Sequence, residues 1–167
     1  LGQIWQDRPS LPNAPIYVHD EVFVDTSAKQ KLAQVREVMT QKGAAHHLIS
    51  SLDDIAWLTN LRGADVNFNP VFLSHLFITA DTATLFVHDD KLTDSAKSAL
   101  SVAGIDVAHY DSVAECLGDV ASLLFDPAKV AVGTLTHLPK TATLIKAVNP
   151  STVLKTIKSD NDINHIR

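Results

Sequence analysis

The switch of hydrophobic period along the second half of the chain is what most narrows the folds open to it. Ala96, Ala99, Leu100 and Ala103 recur on a helical period and stop at Gly104. Residues 75–80 and 83–88, in contrast, are β-rich runs separated only by Asp81 and Thr82, a length that suits a hairpin, so they are expected to pair antiparallel. Beyond them the pattern predicts strands over 106–110, 129–132 and 152–156. It predicts helices over 113–124, behind Ser112 and broken by Asp126 and Pro127, and over 138–148, entered through Pro139 whose missing N–H is not needed in a first turn. Short strands separated by amphipathic helices favour one sheet covered on both faces, and the hairpin makes that sheet mixed. The expected fold class is therefore α/β, with three layers.

The first half fits the same architecture. Residues 1–24 carry Pro9, Pro12 and Pro15, which remove backbone donors and hold the chain extended, and Ile4 and Trp5 are apolar enough to dock on a surface. This segment reads as a linker or wrapping arm entering from an upstream domain. Asp25, Thr26 and Ser27 offer caps for a helix with Leu32, Val35, Val38 and Met39 on one face and Gly43 as its stop, and residues 45–51 read as a short buried strand. Residues 158–167 are polar apart from Ile163 and Ile166 and look like the first turns of a linker helix. The expected organisation is an arm over 1–24, an α/β domain over 25–157, and the start of that helix over 158–167, with further domains on either side.

Residues 53–72 mix core and polar signals more densely than any other stretch. Asp53 and Asp54 sit favourably at the positive end of a helix beginning there, and Ile55, Trp57, Leu58 and Leu61 give it an apolar face, with Gly63 as the expected stop. Arg62, Asp65, Asn67 and Asn69 then gather around Gly63 and Pro70, a run costly to bury unpaired, which predicts an ordered surface loop. Arg62 and Asp65 can pair with each other and lock that loop, or face a ligand or a partner domain; the residues alone leave both readings open.

Bulk properties exclude several functions. A chain of 167 residues is one domain in size and can bury roughly 70% of its unfolded surface. A net charge of −5 without a basic run lacks the footprint that phosphate-backbone binding needs, so nucleic acid is not an expected partner. No apolar run approaches the roughly 20 residues that span a bilayer. The single Cys116 allows no internal disulfide and suits a reducing, cytoplasmic compartment; within an apolar helical face it reads as a buried thiol. Phosphate-binding glycine loops, nucleophile elbows, HExxH helices and CxxC pairs are absent from the sequence. The eight histidines are scattered, His46 and His47 point to opposite faces of a strand, and Asp111 and Glu115 read as a solvated face.

Three runs carry a resemblance. Ile4-Trp5-Gln6-Asp7-Arg8-Pro9, the run from Asp54 through Trp57, Asn60, Arg62 and Gly63 to Asp65, and Asn69-Pro70-Val71-Phe72 together resemble the three-domain Xaa-Pro aminopeptidases (aminopeptidase P). The ending from Lys158 to Arg167 is similar to that family's entry into its catalytic domain, with Asp162 in place of a Glu and Ile166 in place of a Met. The resemblance implies a non-catalytic middle domain of the creatinase/prolidase N-terminal type, with a mixed sheet of ribonuclease H-like layout. Its parent would remove the residue preceding a proline in second position, using two divalent metal ions, usually manganese, in a separate domain. Asp54 and Asp65 share the eleven-residue separation of the family's metal-binding aspartates, but those belong to that other domain, so no metal ligand and no catalytic residue is carried over, and the chain alone is expected to be inactive. The resemblance further implies its own catalytic domain, a proline-containing peptide and a homodimer as partners, with Arg62, Asp65, Asn69 and Phe72 as candidates to line the substrate cleft. A prolidase-like or creatinase-like parent and a stand-alone binding module are the alternatives.

Overall fold

A computed structural model describes residue 5 and residues 7–166. Ile4, Gln6 and Arg167, which belong to the runs that carry the resemblance, lie outside the described residues. The elements run β1 (Tyr17–Val18), α1 (Ala28–Gln41), β2 (His46–Ile49), α2 (Leu52–Thr59), β3 (Leu61–Arg62), β4 (His75–Thr79), β5 (Ala83–Val87), α3 (Asp94–Ala103), β6 (Asp106–His109), β7 (Ser122–Phe125), α4 (Val132–Leu135), β8 (Thr143–Lys146), α5 (Pro150–Leu154) and α6 (Asp160–Ile166), with 3₁₀ turns at Glu21–Phe23, Asp89–Lys91 and Tyr110–Leu117.

Six strands form one mixed sheet in the order β6-β5-β4-β2-β7-β8. The β4–β5 hairpin and the β2–β4 pair are antiparallel, whereas β5–β6, β2–β7 and β7–β8 are parallel. Strand alternation divides the core in two. Ile49, Leu76, Ile78, Leu85 and Leu124 face α1, α2 and α3, whose buried side chains include Leu32, Val35, Met39, Ile55, Leu58 and Leu100. Leu48, Phe77, Phe86, Leu123 and Phe125 face the other way, onto Val113, Leu117, Val120 and Val130. The layers are therefore helix, sheet and helix. No helix among the described residues is long and apolar enough to cross a membrane.

Where the local signals are strong, the elements follow them. Ser27 caps α1 through a reciprocal box with Gln30, and Gly104 ends α3 in the left-handed region at φ 71°. Four expectations are corrected. The helix expected over 113–124 is a 3₁₀ turn ending at Leu117, and Leu123 and Leu124 belong to β7, which lies beside β2. A strand buried on both faces is apolar throughout and shows no period of two, so it resembles a helix face. Residues 129–132 are not a strand but a turn leading into α4, residues 138–148 hold β8 rather than a helix, and residues 152–156 fall in and after the short helix α5, which starts with Pro150 at its first position.

Part of the N-terminal arm is built into the domain. Tyr17 and Val18 pair antiparallel with Arg62 and Leu61, and Ile16 is fully buried, its N–H donating to the Lys91 carbonyl at 2.6 Å. Trp5 remains exposed.

Candidate functional site

The 53–72 stretch turns out to be a helix fastened at each end, followed by a loop closed on itself. At its N-terminus Asp54, almost wholly buried, accepts hydrogen bonds at Oδ2 from Ser51 Oγ, from Asn149 Nδ2 at 3.0 Å and from Thr152 Oγ1 at 2.7 Å. Lys155 Nζ lies 2.7 Å from its Oδ1 and also pairs with Asp53. Burial alone would raise the Asp54 carboxyl, but the hydrogen bonds from Lys155, Ser51, Thr152 and Asn149 outweigh it and hold the group below its ordinary range. The clamp ties α2 to α5 across 95 residues of sequence.

At the other end, the helix stops at Asn60, not at the expected Gly63: Asn60 takes the left-handed conformation at φ 56°. The last-turn carbonyls that a helix leaves without intrahelical partners are met here by two cations. Arg62 Nη1 donates to the carbonyls of Ala56 and Leu61, each at 2.8 Å. Lys31, 6% exposed, donates from Nζ to the Trp57 carbonyl at 2.9 Å and to Asn60 Oδ1 at 2.6 Å, with Nζ 4.4 Å from the centre of the Trp57 ring. Burial, helped by the charge of Arg62, pushes the Lys31 amine down to about 8, and burial lowers Arg62 as well. Both side chains line a pocket of about 410 Å³ that α6 covers on one side.

Beyond Arg62 the loop is ordered, as its composition predicts, but Arg62 and Asp65 do not lock it by pairing with each other. Asp65 forms a wholly buried ion pair with Lys91 and accepts the Leu73 N–H at Oδ2, 2.7 Å away. The N–H groups of Gly63 and Asp65 donate to the carbonyls of Pro70 and Val71, at 3.3 and 3.1 Å. Gly63 is required by proximity rather than by turn geometry: a Cβ there would meet the Phe72 Cβ at 2.8 Å. Phe72 is fully buried in the core. At the tip, Val66 and Asn69 bridge, and Phe68 projects fully exposed with φ 61°, an uncommon conformation for a large side chain.

The four cleft candidates therefore separate. Asp65 and Phe72 are buried supports of the loop, Asn69 is exposed on it, and Arg62 lines the pocket at the end of α2. Two further residues, one lining the pocket and one exposed at the loop tip, were not named individually from the sequence. Lys31 occupies a buried position of an otherwise apolar helix face beside Leu32, a signal the spacing does carry. Phe68 is an aromatic between two asparagines ahead of a proline, where apolar burial is not expected.

Among the described residues no group of three or more His, Cys, Asp or Glu side chains comes together to hold a metal ion. Asp54 and Asp65 have separate partners, Lys155 with Ser51, Asn149 and Thr152 for the first, Lys91 and Leu73 for the second. His47 is fully buried with Nδ1 2.9 Å from the Leu124 carbonyl, while His46 stacks on Phe77 on the opposite face. Burial raises the Cys116 thiol to about 11, far from an activated nucleophile.

Comparison with known proteins fits this geometry. The model of the Creatinase/Prolidase N-terminal domain matches residues 7–162. Xaa-Pro aminopeptidase 1 of Dictyostelium discoideum is 34% identical over 166 residues, covering 97% of this chain and 26% of that protein. Aminopeptidase P2 of Arabidopsis thaliana is 36% identical over 140 residues, covering 81% of this chain and 20% of its own length. The chain thus spans about a quarter or less of these relatives. Among solved structures, the X-prolyl aminopeptidase of Caenorhabditis elegans, described as a cytosolic enzyme with a di-nuclear active site, superimposes with a TM-score of 0.86 at 21% identity over 97% of this chain and 28% of that one. The creatinase/prolidase N-terminal domain of a Streptococcus pyogenes X-Pro dipeptidase superimposes with a TM-score of 0.54 at 19% identity, covering 76% of this chain and 98% of that domain.

Proposed function

The chain belongs to the creatinase/prolidase N-terminal domain family, and from that premise we propose that it serves a cytosolic Xaa-Pro aminopeptidase as a domain that carries no catalytic residues of its own. The observation that carries this reading is the fate of the two aspartates at metal-ligand separation: the carboxylates of Asp54 and Asp65 are taken up by Lys155 and Lys91 and by hydrogen bonds inside the fold. A dinuclear centre needs several carboxylate and imidazole donors converging on open positions, and these two do not fit one. The two metal ions, manganese in this reading, and the attack on the bond before proline belong to a catalytic domain outside this chain.

What this domain contributes is shape and support at the substrate cleft. Phe72 in the core and the Asp65–Lys91 pair hold the 63–72 loop rigid, so that Asn69 and Phe68 are presented on a fixed frame, while Arg62 anchors the helix from which the loop departs. Functional loops set on rigid elements are the usual arrangement for lending contacts to a neighbouring site. The natural partners in this reading are the catalytic domain, a proline-containing peptide and a second copy of the enzyme.

Two measurements test it. The 167-residue chain incubated with Mn²⁺ and the tripeptide Arg-Pro-Pro is expected to release no arginine, and release would overturn the reading. In an enzyme containing this domain, Phe68→Ala and Asn69→Ala are expected to lower kcat/KM on Arg-Pro-Pro by about tenfold without changing the unfolding midpoint, since both side chains are exposed. The shared fold with a prolidase-type domain favours one competing parent, and hydrolysis of the dipeptide Gly-Pro in preference to Arg-Pro-Pro would select it.

A further inference from the structure

The pocket at the end of α2 holds more hydrogen-bond donors than its structural task uses. Nη1 of Arg62 serves the Ala56 and Leu61 carbonyls, and two of the three Lys31 protons go to the Trp57 carbonyl and to Asn60 Oδ1. Among the described residues, Nε and Nη2 of Arg62 make no hydrogen bond and neither cation forms a salt bridge. The lining sets three cations, Lys31, Arg62 and Lys158, against the carboxylates of Asp25 and Asp162 and about half a negative charge at the helix end, a balance close to neutral. Two acids stand near without pairing: Asp25 is held by Thr26 and Ser159, and the Asp162 carboxylate accepts the Ser159 N–H at 3.0 Å. A monoanion suits that balance better than a dianion, which the two acids would repel. The free fork of Arg62 matches the planar two-oxygen face of a carboxylate, and Trp57, Ile157 and Ile166 give the adjoining wall an apolar surface.

We propose that the pocket between α1, β3 and α6 is a carboxylate-binding site, in which Arg62 and Lys31 grip a single carboxylate and the remainder of the ligand lies along Trp57 and α6. The ligand class is a peptide carboxylate, from a chain terminus or an acidic side chain. This does not depend on the peptidase reading, because the site uses only residues of this chain. A buried lysine lowered to about 8 gains from an incoming anion, which restores its charged form.

The test is an NMR titration of the 167-residue chain, following the Trp57 indole N–H, which a Trp5→Phe variant distinguishes from that of Trp5. N-acetylglycine stands for a chain terminus and N-acetylaspartate α-amide for an acidic side chain, with N-acetylglycinamide as the neutral control and inorganic phosphate, partly dianionic at neutral pH, as the oxyanion of higher charge. Saturable shifts with at least one carboxylate, at a Kd on the order of millimolar and about tenfold tighter than with the neutral amide or phosphate, are expected. Lys31→Met, which keeps the apolar stem, is expected to remove the response. Absence of saturation by both carboxylates, equal response to the amide or phosphate, or unchanged binding in Lys31→Met would each overturn the proposal. Should Lys31→Met fail to fold, Arg62→Lys, which keeps the charge and loses the fork, is expected to weaken carboxylate binding about fivefold, and unchanged binding overturns it equally.

Discussion

Gly63 shows how one atom fixes a loop. Its missing Cβ lets the backbone press against Phe72, and an added methyl would lie 2.8 Å from the Phe72 Cβ and 3.2 Å from the Val71 carbonyl oxygen, both on rigid chain. Gly63→Ala is expected to cost about 2 kcal/mol by overpacking, read as a lowered urea midpoint with an unchanged slope. The sequence offers Gly63 readily as a special position but for the wrong reason, because a helix stop and a close approach call for the same residue. Asn60, which does end the helix, is legible only as a residue that tolerates the left-handed region. That Lys91 takes Asp65 depends on a contact 26 residues apart that no local pattern encodes.

At the scale of the element, α2 is short and owes its place to its two ends. Asp54 is the buried member of the clamp to α5, so Asp54→Asn leaves Lys155 with a weaker partner and is expected to destabilise the fold by about 3 kcal/mol at pH 7. Because its folded pKa lies below the ordinary value, the Asp54 contribution is complete above the ordinary carboxylate range and is lost as pH falls through the folded pKa. The gap in unfolding free energy between the wild-type chain and Asp54→Asn is therefore expected to narrow as pH is lowered from 7 towards 3. A constant gap would assign the effect to packing instead. The elements that could be read in advance are those with a sustained period or a strong cap: α1, α3 and the β4–β5 hairpin. The elements misread lie between residues 113 and 156, where β7 is apolar on both faces, β8 is a four-residue strand at the sheet margin, and α5 has only five residues. None of these is long enough for its period to show.

Across the whole molecule, the sheet is organised about β2, which holds the hairpin on one side and β7 on the other. His47 sits in that strand, and burial lowers its imidazole to about 4 from an ordinary 6.5. The unfolded chain therefore binds a proton that the folded chain refuses between those values, and stability falls as pH drops through that window. The difference amounts to about 3 kcal/mol by pH 4, and His47→Leu is expected to flatten the dependence of the urea midpoint over that range. Mixed α/β architecture was legible from the alternation of periods, whereas the strand order was not, because β7 reaches β2 only through a connection that crosses the domain.

The fully exposed Phe68, held at φ 61°, carries its own consequence. A glycine there would relax the backbone at φ 61°, so selection for sturdiness alone would discard the phenylalanine. If the tip does meet a neighbouring domain, screens for thermostable variants of the isolated chain will enrich changes at this position that impair the assembled enzyme, and the two traits will have to be selected together.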